Sequence, residues 1–227
     1  MGYPKITEIA ETVKEWDFIQ NLPATIDSFQ KQIEGEIQGQ ILHICSYTSA
    51  PLQAKLDIIY TAETFDYILI LSMGMNIYRD VDLIYKEREL FAENAQRKIP
   101  HIIHQMEHPE DVNLGEMVAA QKILAWDFGN NLSPKIGAFQ LYIKPAKAID
   151  YINGSIILID YSDFTRGDQF VVYYSRHRNE FFGEIKINGV FHATKDFDAK
   201  NLTQLQEKLE QNLETTLSYI SKADHEI

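Results

Sequence analysis

The sequence predicts an α+β protein built from two tandem copies of one α-β-β-β-β-α unit. Residues 16–30 (WDFIQNLPATIDSFQ) align without gaps on residues 126–140 (WDFGNNLSPKIGAFQ), and eight of the fifteen positions are identical, where chance would give about one. In each half this segment precedes short apolar stretches and then one amphipathic helix. This order favours antiparallel meander sheets covered by helices.

The strands are indicated by β-branched segments bounded by turn residues. Residues 41–48 and 156–162 each follow a glycine closely, and two further apolar segments come next in each half. Those segments are 55–62 and 66–73 in the first half and 169–175 and 180–187 in the second. Asn188-Gly189 then predicts a tight hairpin into residues 190–193. We therefore expect about four antiparallel strands in each half.

A closing helix is predicted in each half by apolar residues that recur every three or four positions. In the second half these residues are Leu202, Leu205, Leu209, Leu213, Leu217 and Ile220, and in the first half they are Phe91, Ala95, Ile99, Ile103 and Met106. Pro100 lies inside the first helix and removes one helical hydrogen bond. We therefore expect a kink or a break near Ile99.

The two repeat units are predicted to be residues 1–110 and 111–227, packed as one globular body. A fused pair of similar units usually preserves the symmetry of an isologous homodimer, so we expect a pseudo-twofold arrangement. Whether edge strands join the two sheets into one stays open. The order of elements in each half is similar to the architecture of type III secretion chaperones. This likeness, which no sequence motif carries, implies a chaperone-like role.

The charge excludes two classes of partner. The chain has 21 basic and 33 acidic residues, a formal net charge of −12, and this charge repels nucleic-acid phosphates and anionic membranes. Residues 1–110 carry −8 of it, so a basic partner is expected to meet the first half. The only cysteine is Cys45, the N-terminal segment does not have the pattern of a signal peptide, and the apolar runs are far shorter than the ~18 residues of a membrane span. We expect a cytoplasmic protein.

A histidine cluster is the sharpest chemical candidate. On a helix, His101, His104 and His108 would lie within about 60° of one another, with Glu107 at the margin. Three imidazoles can hold zinc with an open fourth position. However, the spacing is not that of helical zinc proteases, and the second half has no equivalent histidines. A solvated helix C-terminus explains these histidines equally well.

Two other groups of residues invite functional interpretations. His43 and Cys45 alternate along a strand onto one face and could form a nucleophile pair, although their apolar neighbours favour a buried, inert thiol. Charged side chains could contact a partner, or they could be ordinary solvated surface. These candidate partner-binding residues are Glu34, Glu36, Glu63 and Asp66 in the first half and Arg176 and Arg178 in the second.

The repeated Trp-Asp-Phe favours a structural role, with Trp16, Phe18, Trp126 and Phe128 as core aromatic residues. The sequence contains no phosphate-binding glycine motif, no nucleophile elbow, no EF-hand loop and no Cys-x-x-Cys pair.

The function expected is a nonenzymatic protein-interaction module, chaperone-like, adaptor or immunity-type. It would bind a protein partner through a sheet edge or a groove between the units and use no cofactor, and it could form a homo-oligomer. The alternatives are a zinc-dependent enzyme or sensor using the three histidines, and a small-ligand site between the halves.

Overall fold

The structure is a computed structural model that describes residues 5–151 and 154–223. The chain divides into two compact units, Met1–Glu107 and His108–Ile227. In the described residues the first unit contains a six-stranded antiparallel sheet, and the second contains a seven-stranded one. Helices accompany each sheet, so the predicted α+β class is confirmed.

The strands of the first sheet follow one another in chain order, β1-β2-β3-β4-β5-β6. The elements of this unit are α1 (Ile6–Thr12), α2 (Asp17–Asn21), β1 (Thr25–Ile26), β2 (Phe29–Gln38), β3 (Ile41–Ser49), β4 (Ala54–Thr61), β5 (Asp66–Met73), β6 (Asn76–Tyr85) and α3 (Arg88–Glu107). Strands β4 and β5 match the predicted segments. The prediction omitted β2, because Gly35, at φ +83°, interrupts the alternation of side chains there.

The second sheet has the order β13-β12-β11-β10-β8-β7, with β9 also paired to β10. The elements of this unit are α4 (Glu116–Ala120), α5 (Asp127–Asn130), β7 (Lys135–Ile136), β8 (Phe139–Ile143), β9 (Ile149–Asp150), β10 (Ser155–Asp163), β11 (Asp168–Ser175), β12 (Glu180–Ile187), β13 (Val190–Ala199) and α6 (Leu202–Lys222). The predicted hairpin is confirmed, since Ile187 pairs with Val190 across Asn188-Gly189. The predicted count of about four strands per half was too low.

Helix α3 covers one face of the first sheet. Trp16 lies against Tyr67 of β5 and Phe91 of α3, with ring centroids 5.8 and 6.5 Å apart. The whole predicted apolar stripe of this helix is buried. Of the expected kink or break near Ile99, the break is wrong, because α3 continues through Pro100. Burial of Ile99 and Ile103 on either side stabilises the helix against the loss of one hydrogen bond.

Helix α6 packs on the second sheet with its predicted stripe buried, from Leu205 to Ile220. The helix begins after Asn201, whose side chain accepts a hydrogen bond from the amide of Gln204. Phe197 of β13 is fully buried, and its ring lies 4.5 Å from that of Phe170. This aromatic pair belongs to the main core of the second unit.

The two sheets use the same strand registers. Ser46 pairs with Asp57 in the first sheet, and Asp160 pairs with Val171 in the second, so both partners are shifted by 114 positions. A β-bulge follows at the same place, between His43 and Cys45 in β3 and between Ile157 and Ile159 in β10. Edge strands β6 and β13 also have an irregularity each, after the pair Ile70↔Arg79 in the first sheet and after Gly183↔Thr194 in the second, one residue apart in the shared register. The sheets therefore share a backbone pattern while their side chains differ.

Candidate functional site

A cluster of polar side chains lies on the face of the first sheet away from α3. We call Glu34, His43, Ser46, Lys55 and Asp57 the polar cluster. Asp57 pairs with Ile70, whereas Tyr60 and Tyr67 pair on the opposite face, where Tyr67 packs against the helix. The cluster therefore joins β2, β3 and β4 on the side of the sheet that α3 does not cover.

The members of the polar cluster are close enough to act together. His43 Nδ1 lies 3.0 Å from Asp57 Oδ2, and Lys55 Nζ lies 2.9 Å from the same oxygen. Lys55 Nζ is also 3.6 Å from Glu34 Oε1, which accepts a 2.6 Å hydrogen bond from the Ser46 hydroxyl. One ligand atom from each of Glu34, His43 and Asp57 falls within a 4.8 Å separation. These three side chains could hold one metal ion.

Two bulges bring the cluster together. In β2 the register shifts between Ile33 and Glu36, where Gly35 adopts its positive φ, and Glu34 lies within this bulge. In β3 the extra residue is Ile44. Bulges turn side chains away from regular alternation and occur often beside functional sites. The cluster therefore depends on local backbone irregularities.

The electrostatics of the cluster centre on Lys55. Burial lowers the pKa of its ammonium group, but the hydrogen bond and charge of Asp57, together with Glu34, outweigh this effect and raise the pKa. Asp57 is 8% exposed, and its Oδ1 has no hydrogen-bond partner among the described residues. One carboxylate oxygen is therefore shared between two donors, while the other is buried and unpaired.

The bulge at Ile44 separates His43 from Cys45. His43 pairs with Ile59 and Cys45 with Ile58, which are adjacent residues of β4 and so point to opposite faces. The predicted shared face was therefore wrong. Burial raises the pKa of the Cys45 thiol to about 12. The thiol thus stays protonated at neutral pH and is a poor nucleophile.

The three predicted metal-ligating histidines are placed differently from one another. His101 and His104 are exposed on α3, and His108 directly follows the helix. His104 Nδ1 lies 3.5 Å from Asp27 Oδ2, in the turn between β1 and β2. Asp27 and His104 can therefore offer ligand atoms close together, and His101 is not part of this group. Glu107 instead accepts a hydrogen bond from the Ser28 hydroxyl.

The four acidic residues predicted to bind a partner lie in different surroundings. Glu34 belongs to the polar cluster, whereas Glu36 is exposed near the end of β2 and Glu63 is exposed in the turn after β4. Asp66 begins β5 and lies 3.9 Å from the ammonium group of Lys86. Among the described residues, Glu34 is the one of these four that lies in a group able to bind a metal ion.

The two predicted arginines also differ. Arg176 forms a two-point ion pair with Asp150, at 2.8 and 3.0 Å, and donates to the Leu114 carbonyl at 3.1 Å. Arg178 is 58% exposed, pairs with Glu180 at 3.1 Å and lies over the ring of Phe182. Arg176 is thus committed to contacts within its own unit, and Arg178 is more accessible.

The repeated aromatic residues lie in their respective cores. Trp16, Phe18 and Trp126 are buried, and Phe128 is partly buried. A pocket of about 610 Å³ opens beside the second copy; it is lined by Trp126, Asp127, Phe128, Asn131, Leu132, Ser133 and Gln206. The Asn131 amide already donates to Asp127 at 2.9 Å. These two polar side chains of the lining therefore already contact each other.

The edge strand β13 carries an accessible apolar segment. Val190 and Phe191 are 58% and 55% exposed, and His192 and Ala193 after them are also exposed. The ammonium group of Lys186 lies 5.2 Å from the centre of the Phe191 ring. Farther along, the strand bulges and turns Phe197 into the core. The accessible segment is therefore the part of β13 nearest the hairpin.

Lys55 and Asp57 are functional candidates that sequence reasoning missed. The alternation Lys55-x-Asp57 puts both side chains on one face of β4, which is visible in the sequence. Their proximity to His43 depends on the strand register, and their proximity to Glu34 depends on the bulge in β2. The register has no sequence signal of its own, and Gly35 is the local sign of the bulge.

None of the described helices has the length and apolar composition needed to cross a lipid bilayer. Comparison of the chain with known proteins finds no matching family model, no matching curated protein and no matching solved structure.

Proposed function

We propose that the protein is a nonenzymatic interaction module, working in the cytoplasm, that binds an extended segment of a partner protein along β13. The observation that carries this proposal is the run of four exposed residues, Val190–Ala193, on the last strand of a sheet. Edge strands with apolar side chains bind extended peptides through main-chain hydrogen bonds and side-chain contacts.

The geometry of the hairpin supports this mode of binding. Asn188 and Gly189 both have positive φ, as in the two-residue turns that join paired strands. Val190 then forms the hydrogen-bonded pair next to the turn, and the amides of Phe191 and Ala193 point away from β12. In the described part of the chain β13 pairs only with β12. These outward amides supply the donors for a partner strand.

The length and charge of the edge define the partner. Regular pairing of β13 runs from Val190 to Thr194, after which the bulge exposes Lys195 and Asp196. A bulge with charged residues prevents further strand pairing. About five residues of partner can therefore be held. Lys186, His192 and Lys195 favour a segment that combines an apolar side chain with carboxylates.

The test uses a photo-crosslinking amino acid at Phe191 in the full chain, expressed in the natural host. We expect one protein to be crosslinked from this position. Ala193→Pro should abolish the crosslink, since proline removes an outward amide while edge strands tolerate it. Thermal unfolding should be unchanged in this variant. The matched control carries the photo-crosslinking amino acid at Tyr219, an exposed position of α6, in place of Phe191. A crosslink that survives Ala193→Pro, or none at all, refutes the proposal.

We also propose that the two units arose by tandem duplication. The aligned Trp-Asp-Phe segments and the matched registers, with bulges in corresponding places, support this origin. The two copies would then have diverged in function, since the exposed edge of β13 lies in the second unit and the polar cluster lies in the first.

A further inference from the structure

We propose that Glu34, His43 and Asp57 form a binding site for a divalent metal ion of the zinc class, in which Lys55 provides the balancing positive charge when no metal is bound. This site lies in the first unit and is independent of the β13 edge. It also differs from the histidine cluster at the end of α3, which supplies none of its ligands.

The ligand set suits zinc. An imidazole nitrogen and two carboxylate oxygens are common zinc ligands, and three protein ligands leave a fourth position for water. The ligand atoms lie within 4.8 Å of one another, whereas those bound to one zinc ion lie roughly 3.3 Å apart. Small side-chain rotations would close this difference. His43 and Glu34 are 21% and 16% exposed, so the site is accessible from water.

The unpaired oxygen of Asp57 is a second and independent indication. The side chain of Asp57 is 11% exposed, and its Oδ1, which is shielded from solvent, has no hydrogen-bond partner among the described residues. A buried carboxylate oxygen left unpaired is costly, because it has lost its contact with water. Such oxygens in native proteins are often explained by a bound ion or water. A metal ion held by this carboxylate would compensate the cost.

The second unit shows that the sheet does not require these side chains. At the same register positions, Ile157 replaces His43, Val171 replaces Asp57 and Gln169 replaces Lys55. The β10–β11 pair keeps the same bulge with these residues. The histidine and the carboxylate are therefore not needed to build the strands, and a ligand-binding role accounts for both.

Lys55 determines how tightly the metal would bind. Its ammonium nitrogen lies 2.9 Å from Asp57 Oδ2 and 3.6 Å from Glu34 Oε1. A dication entering this position must displace it, and like charges a few Å apart repel each other. The side chain of Lys55 is 36% exposed, so it can move into solvent. Replacing Lys55 by a neutral residue should therefore strengthen metal binding.

The test measures zinc binding to the full chain, purified without a histidine tag, by titration calorimetry and metal analysis. We expect one zinc ion at this site in the wild-type protein. Lys55→Gln, which introduces the residue of the second unit, should lower the dissociation constant by roughly tenfold or more. His43→Ile with Asp57→Val, also taken from the second unit, should abolish the binding in either background.

Two further variants keep the result decisive. His104→Gln removes the other ligand group and should leave the strengthened binding of the Lys55→Gln protein unchanged. His43→Gln serves if the double replacement fails to fold, as judged by circular dichroism. Zinc binding that survives loss of His43, that disappears with His104, or that does not strengthen with Lys55→Gln overturns the proposal. So does a Lys55→Gln protein that binds no zinc.

Discussion

Replacing Phe197 by alanine should destabilise the second unit strongly. Phe197 is fully buried, its ring lies 4.5 Å from Phe170, and a Cβ built on Gly183 would come within 3.0 Å of it. The ring therefore packs directly on the backbone of β12, which leaves little room for the site to collapse. Phe→Ala changes in such cores cost about 3–5 kcal/mol. That is a large fraction of the ~5–15 kcal/mol that stabilises a typical domain.

The matched control is Phe191→Ala on the same strand, because Phe191 is 55% exposed. Both changes remove an aromatic ring from β13, so strand propensity cancels in the comparison. A surface change of this kind should alter the free energy of unfolding by only about 0.5 kcal/mol.

The assay is urea denaturation followed by tryptophan fluorescence. The chain has two tryptophans, Trp16 in the first unit and Trp126 in the second. A Trp16→Phe background leaves Trp126, which belongs to the same core as Phe197, as the reporter. The midpoint should fall with an unchanged m-value. A loss below about 1 kcal/mol, or one equal to that of Phe191→Ala, would refute the packing argument.

Two further predictions concern pH and the two-point ion pair of Arg176. Burial raises the pKa of Cys45, Tyr67 and Tyr161 to about 12, from ordinary values of 9.0 and 10.0. The unfolded chain therefore loses these protons first, and the free energy of unfolding should fall as the pH rises from 9 towards 12. A constant urea midpoint across this window would contradict the assignment. Arg176→Lys should cost about 1 kcal/mol, because lysine cannot make the two-point contact with Asp150. Arg178→Lys, at an exposed site, should have less effect in the same denaturation assay, and equal losses would count against the argument.

The regular elements were readable from the sequence because they obey simple periodicities. The apolar stripe from Leu205 to Ile220 predicted α6, and the Asn188-Gly189 turn predicted the hairpin between β12 and β13. The break expected at Pro100 does not occur, since tertiary packing of α3 outweighs one lost hydrogen bond. Strand β2 was missed because its alternation is broken at Gly35.

The polar cluster could not be predicted, because it depends on register. A bulge adds one residue to a strand, so every side chain beyond it points to the opposite face of the sheet. For this reason His43 contacts Asp57, whereas the side chain of Cys45 points to the other face of the sheet. The sequence contains the ligand types, but their proximity depends on two bulges, and only the bulge in β2 has a local sequence signal, the glycine at position 35.

The order of strands in the first sheet has a consequence for how the chain folds. Each pairing, from β1–β2 to β5–β6, joins strands that are neighbours in sequence. Contacts of this kind give a low contact order, and such topologies close small loops and fold quickly. During synthesis, where domains generally fold as units from the N-terminus, every hydrogen bond between these strands can form once the chain as far as Tyr85 has emerged. The first sheet can therefore be complete before any strand of the second has been made.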